Sequence, residues 1–505
     1  MRKKSKGLRA IIVLPLVALL ISACSAADPD PGLRVAISGN PNTLDPHATS
    51  GTLTFQVTRS LYDTLLEPNR EGIIVPALAE SYEVSEDGLQ WRFFLREGVV
   101  FHDGSPLSSA DVVASLERLL DPDFASPKAD EFRVIEGLSA PDELTVVATL
   151  REPYAPFAAS LASGWAAILP AERIADGHNF ATRPIGTGPF EFVEWVSDSH
   201  VSMTRNDNYW MPGRPAFEGL RFNIITEMPV QEQGLLTGRL DVIDMVGETN
   251  LSRIQEAPGV DVRTELSSLV MVLSINNSRE PFTDPLVRRA ATHAINKQAV
   301  LDIAYAGGHP ITTFMDYGDP FYAGPEEPYP YDPVRARELL DEAGYTGAVT
   351  PIITVPQNYE PHVKAAEMYQ EMLGNVGIRV ELQLVEWSTW LSEVFFGANY
   401  DLTVIGHTGK LDPDARFSEY VEEGNYVSYH NPNVRALTAE GRRVADPDER
   451  ARIYTEVQEI LAHDLPGVFI GSSYRHIGIA DRVQGFHMDA KLDTYDFRWV
   501  ELVSE

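Results

Sequence analysis

The chain has 505 residues, with 41 Lys and Arg against 73 Asp and Glu, a formal net charge of −32 at pH 7. So acidic a body disfavours nucleic acid and anionic lipid surfaces as partners, and its length exceeds what one hydrophobic core organises, so two or three lobes are expected. The single cysteine, Cys24, excludes an internal disulfide and leaves stability to packing.

The first ten residues, MRKKSKGLRA, carry five bases and no acid; the apolar run IIVLPLVALLI follows, then Ser22 and Ala23. A basic segment, an apolar core and small residues in that order form a secretory signal. The apolar run is shorter than the roughly 20 residues a bilayer span needs. Residues 1–23 therefore read as a signal peptide. Cys24 follows it directly, away from any folded core and from the base and orienting group a catalytic thiol requires. Residues 24–32, rich in small residues, acids and proline, read as a tether.

LRVAIS (33–38) is a strand candidate, followed by the turn-rich GNPNTLDP. In TLTFQVTRSLYDTLL the residues Leu53, Val57, Leu61 and Leu65 recur every fourth position, which predicts one helix. LQWRFFLREGVVFHDGSPLSSADVVASLERLL reads as two strands, a turn at FHDG and a helix capped near Ser108 or Ser109. DPLVRRAATHAINKQAVLDIAY predicts a helix from Asp284 with Pro285 in its first turn. DPVRARELLDEAGY and DPDERARIYTEVQEILAHD open on the same acid-plus-proline signal. GIRVELQLVEW and YDLTVIG supply β-branched strands between helices. The alternation predicts a mixed α/β fold.

No G-x-S-x-G, H-E-x-x-H or P-loop pattern is present, so no common catalytic motif points to an enzyme. The 12 histidines are scattered, and the acidic stretches DPDPG and DPDARFSEYVEEG lack the ligand order of a calcium loop. No metal or other cofactor is expected. A secreted lipoprotein hydrolase, the competing class, would need a nucleophile, a base and an orienting group, and the sequence offers no such set.

Several stretches resemble one family. They are YDTLLEPNREGIIVPALAESYEVSEDGLQWRFFLREGVVFHDGSPLSSADVVASLERL, IGTGPFEFVEW with RNDNYW, REPFTDPLVRRAATHAINK, YDPVRARELLDEAGY and DPDERARIYTEVQEILAHDLP. Together they resemble the extracytoplasmic solute-binding proteins of peptide and nickel ABC importers, bacterial solute-binding protein family 5. The segment ending in Cys24 likewise resembles the bacterial lipobox, whose cysteine is lipidated.

The resemblance implies a two-lobe periplasmic-binding-protein fold, class II-like, with a subdomain inserted in lobe I and a hinge of two crossing segments. Lobe I takes residues 33–55, 185–272 and 479–505; the inserted subdomain takes 56–184; lobe II takes 273–478. The crossings are expected near LSINNS and RHIGIAD. The glycines of GTGPF are expected to permit a tight return turn. The implied role is a monomeric, lipid-anchored binding subunit that closes on a small peptide, or on an opine, oligosaccharide or metal chelate, and docks on the permease and ATPase subunits of an importer.

By the same resemblance Thr49, Ser50 and Gly51 line the cleft floor and Trp387 packs flat on ligand, while Trp390 serves the core. Asn276 and Asn277 at the crossing either meet ligand or hydrogen-bond within the crossing. In YDLTVIGHTGKLDPDARF, His407 and Lys410 stand where typical peptide binders carry a tryptophan and an ammonium-pairing aspartate. A lysine cannot clamp an ammonium. Three readings stay open: Lys410 contacts an anionic ligand group, Lys410 pairs with Asp412 at the surface, or Asp412 or Asp414 shifts in to replace the missing acid.

Overall fold

A computed structural model describes residues 32–247, 250–489, 491 and 494–503. The signal peptide and Cys24 lie outside the described residues. Among those described, no helix is long and apolar enough to cross a membrane.

The strand Leu33–Ile37 alternates as a half-buried strand should: Leu33, Val35 and Ile37 enter a core while Arg34 turns away. It pairs in parallel with Gly219–Ile224 and Val242–Ile243. His200–Arg205 and Phe190–Val196 extend the sheet in antiparallel fashion. Ile477, Ile479, Phe497 and Val500, from the far end of the chain, close the same core. Arg34 and Arg482 both grip buried Asp241, at 2.9 and 2.8 Å, which ties the two ends of the chain together.

A separate core runs from Leu65 to Ile168. Its antiparallel sheet has the order Ala79–Val84, Gln90–Leu95, Thr145–Leu150, Ile135–Asp142. The helix Ser109–Leu120 covers it, opened by a capping box between Ser108 and Asp111. FHDG forms a turn, with the Gly104 amide donating to the Phe101 carbonyl at 2.8 Å. The second strand expected before it is reduced to one bridge, Val100 with Pro106.

The other lobe holds two cores, one on each face of its sheet. Three helices start where acid and proline promised: Asp284, Asp332 and Asp446 each accept a first-turn amide with their side chains, and Asp412, not predicted as a helix start, does the same. The helix predicted from Asp284 is two helices, Pro285–Ala294 and Lys297–Ala304, because Asn296 caps the second by accepting from the Ala299 amide.

Two long antiparallel strands, Val260–Ile275 and Gly467–Ala480, run through both lobes. Their register breaks between Leu266 and Val270. Before the break the pair adjoins Val242–Ile243 of the first lobe; beyond it, the pair adjoins Leu402–His407 and Gly308–Pro310 of the second. The break lies ahead of LSINNS on one strand and, opposite it, at Ser472–Tyr474 on the other, just ahead of RHIGIAD.

The helix predicted over TLTFQVTRSLYDTLL stops at Thr58. The Gly188 and Phe190 amides take the carbonyls of Leu61 and Ser60, at 3.1 and 3.0 Å, so a tertiary contact claims what a helix would use. Gly186 and Gly188 serve this close approach, and neither has the left-handed backbone of a return turn. A Cβ on Gly188 would lie 2.4 Å from the Leu61 carbonyl carbon and 2.6 Å from the Tyr62 nitrogen. Gly188→Ala is expected to cost about 1–3 kcal/mol by overpacking, read as a lowered denaturation midpoint; an unchanged midpoint would refute the close-packing argument.

Candidate functional site

A cavity of about 420 Å³ lies where the first lobe, the inserted subdomain and the second lobe meet, a volume in the range of small-molecule sites. Arg59, Asp63 and Glu67 form one wall, Lys128, Glu131 and Trp165 a second, and Thr408–Asp412 a third. Lys491 and Arg498 complete it from the C-terminal segment.

Among the residues expected at the site, Ser50, Lys410 and Asp412 line this cavity. Thr49 and Gly51 do not. The Thr49 hydroxyl donates to Asn42 and accepts from the Gly51 amide, both at 3.0 Å, and Gly51 precedes the helix Thr52–Thr58. These two residues shape the turn that presents Ser50.

Asn276 and Asn277 also lie outside the cavity lining. The Asn276 amide donates to the Ala398 carbonyl at 2.8 Å, and the Asn277 amide to the carbonyls of Ile275, Val427 and Pro466. Their amides hold chain segments of the second lobe together. Trp387 stands apart from the cavity as well, stacked on Trp390 with centroids 5.1 Å apart and planes 7° apart, and 36 % exposed. Trp390 is a core residue, donating to the Thr403 hydroxyl at 2.9 Å.

His407 is buried behind the loop, its Nδ1 2.6 Å from Glu419 and its Nε2 2.8 Å from the Tyr426 hydroxyl. Lys410 pairs with Glu419 at 3.1 Å, and not with Asp412 as one of the three open readings had it. Burial alone would raise the Glu419 pKa, but His407, Lys410 and Arg416 overcome it and hold the carboxyl well below its usual range. Asp412 caps the helix Pro413–Val421 and accepts from Arg450 at 2.8 Å; Asp414 accepts from Arg442 at 3.0 Å. Both aspartates are committed, so neither replaces the missing ammonium partner without breaking a buried pair.

The remaining walls are compensated within themselves. Asp496 is desolvated, which raises its pKa, yet Arg498 outweighs this and brings it down to about 2. Arg498 also binds Glu67 at 2.8 Å. Asp63 accepts from Thr187, Tyr209 and Trp210, all neutral donors, and burial raises its pKa. Lys491 bridges the lobes: it follows Met488 and precedes Tyr495 of the first-lobe core, and binds Asp316 and Asp319 of the second lobe.

Glu131, Trp165, Lys128 and Lys491 had no signal in the sequence. Trp165 donates to Glu131 across 34 positions and Lys491 to Asp316 across 175, and no local pattern announces contacts of that span.

These features define a class: a two-lobed α/β binding protein with a charged solute cavity between its lobes. The model of the bacterial extracellular solute-binding proteins, family 5, matches residues 74–427, and the chain belongs to that family. It is extracytoplasmic and serves as the solute-capturing subunit of an ABC importer. The glutathione-binding protein GsiB of Escherichia coli K12 is 29 % identical over 471 residues, 91 % of this chain and 92 % of that protein. The periplasmic binding protein DppA of Helicobacter pylori, solved with the peptide STSA, matches with a TM-score of 0.77 and 27 % identity, over 93 % of this chain and 98 % of that one. AgaA of A. tumefaciens R10, solved with agropinic acid, matches with a TM-score of 0.75 and 28 % identity, over 94 % and 99 %.

Proposed function

We propose that the chain captures a small peptide or peptide-like solute between its lobes and delivers it to a permease driven by its ATPase subunits. In this reading it works as a monomer without catalysis, cofactor or nucleic acid. Signal cleavage after Ala23 leaves Cys24 to carry the lipid that holds the protein at the membrane. The observation that carries the reading is the cavity itself, bounded by both lobes and lined by charges of both signs. The names of the relatives support it, since they bind glutathione, a peptide and agropinic acid.

A second reading, an opine-like anionic solute, rests on Lys410. Its ammonium lines the cavity and has three donors, of which Glu419 engages one. Mass spectrometry of whatever co-purifies with the protein, followed by calorimetry with the identified compound, tests both readings. Lys410→Met is expected to weaken binding of a carboxylate-bearing solute about tenfold or more and to flatten its preference over the matching amide. Native affinity and selectivity in that variant would confine Lys410 to its pair with Glu419.

A further inference from the structure

The charged side chains that line the cavity differ sharply in how much of them solvent reaches. Glu131 is 35 % exposed and Lys410 33 %; Lys128 follows at 21 %, Arg59 at 18 % and Glu67 at 17 %. The rest stand at 9 % or less. Glu131 and Lys410 are thus the acid and the base of the lining that solvent reaches most. They belong to different parts of the molecule: Glu131 sits on the short turn Ala129–Phe132 of the inserted subdomain, Lys410 on the loop after Leu402–His407 of the second lobe.

The other acids are spoken for. Asp412 caps a helix and binds Arg450, while Glu67 and Asp496 bind Arg498. Asp63 is enclosed by three neutral donors. Glu131 is held differently. Its Oε2 accepts the Trp165 indole N–H at 3.0 Å and its Oε1 accepts Lys128 at 2.8 Å, which leaves each oxygen room for a second hydrogen bond. Trp165 is fixed in turn: the edge of Phe55 meets it at 4.5 Å and the Lys128 ammonium lies over its face at 3.8 Å. Gly164 makes that packing possible, since a Cβ there would come within 2.7 Å of the Phe55 ring. The carboxylate is thus aimed by a rigid aromatic support, a condition for selective recognition.

We infer that Glu131 is a specificity-determining residue that receives the ammonium of a zwitterionic solute whose carboxylate lies toward Lys410. The solute spans from the inserted subdomain to the second lobe, and a free amino group is required of it. This rests on the solute-capture reading above and adds the solute's charge pattern and its orientation.

The test uses the purified protein and three matched mixtures of tripeptides: free at both ends, N-acetylated, and C-amidated. Retained peptides are quantified by mass spectrometry after rapid buffer exchange. The wild type is expected to prefer free over N-acetylated peptides by about tenfold, the scale of one hydrogen bond to a charged group. Glu131→Gln, which keeps an acceptor for Trp165, is expected to bring that preference to within about twofold while the preference for carboxylate over amide persists. Lys410→Met is expected to do the reverse. Equal retention of free and acetylated peptides by the wild type, or an unchanged preference in Glu131→Gln, overturns the inference and leaves solute capture standing. Retention of none of the three mixtures overturns peptide capture and the inference with it. If Glu131→Gln melts below room temperature, Trp165→Phe replaces it: the carboxylate stays, its indole donor is gone, and the same preference is expected to drop.

Discussion

Between pH 6.5 and pH 4 the protein is expected to lose on the order of 3 kcal/mol of stability through His47 alone. The side chain is fully buried, and its Nε2 donates to the Ala167 carbonyl at 2.8 Å while its Nδ1 has no hydrogen-bond partner. Burial, then the charge of Arg118, pulls its pKa from 6.5 to about 4. The unfolded chain takes up this proton near pH 6.5 and the folded chain only near pH 4. Between those values the unfolded state binds more protons, so this contribution is whole above pH 6.5, shrinks as the pH falls, and levels off below 4. His362, buried and paired with the Tyr305 hydroxyl at 3.0 Å, is lowered to about 4 as well and acts in the same direction. Asp63 and Asp414, raised by burial, act oppositely in the range where they titrate. The discriminating measurement is therefore a difference: urea midpoints of wild type and His47→Gln at pH 7.5, 5.5 and 4.5. The variant is expected to be weaker at pH 7.5 and to show a shallower decline on acidification. Parallel declines would mean that His47 takes up its proton at the same pH in the fold as in the unfolded chain.

Lys491→Met is expected to cost about 3–5 kcal/mol, the penalty for removing one partner from a buried charge pair. The ammonium contacts both oxygens of Asp316, at 2.9 and 2.8 Å, and Asp319 at 2.5 Å, with all three side chains less than a tenth exposed. Arg416, fully buried and 3.8 Å from Asp316, is the only other cation the structure pairs with this site among the described residues, and it is also committed to the Thr408 carbonyl at 2.8 Å. Without Lys491 two carboxylates face each other in a space that excludes water. Asp319→Asn in the Lys491→Met background is expected to recover a substantial part of the loss, because one of the stranded charges is gone. The two variants and their combination, compared by denaturant unfolding, form a double-mutant cycle. A loss below about 1 kcal/mol for Lys491→Met, or strictly additive effects, would show that the junction does not depend on this charge. The result bears on solute capture, because Gly409 of the cavity loop rests on the same spot: a Cβ there would lie 2.8 Å from the Lys491 carbonyl oxygen and 2.3 Å from the Ser268 hydroxyl.

What the sequence determined by itself is local. Asp284, Asp332 and Asp446 mark helix starts because a cap and the amide it satisfies lie within three residues of each other. Ser108 and Asp111 announce the helix Ser109–Leu120 for the same reason. Membership of the family was legible too, because its motifs recur in order along the chain. The loop carrying Lys410 was found at the cavity for that reason, although its partner was not legible: Glu419 reaches back from the following helix, whereas the nearer Asp412 is drawn away by Arg450.

Tertiary structure decided the rest. A four-residue apolar period predicted a helix through Leu65, and the amides of Gly188 and Phe190, more than 120 positions later, ended it by taking its carbonyls. The register break in the two long strands is a property of the pair and of neither strand alone. Glu131 looks like any surface acid of a charged turn until Trp165 and Lys128 fix it beside the cavity, and Lys491 looks like a loop lysine until Asp316 and Asp319 bury it. Helix caps are settled by hydrogen bonds a few residues long, which sequence order preserves. The cavity depends on which distant carboxylates and cations neutralise one another once water is excluded, and that pairing exists only after the chain has folded.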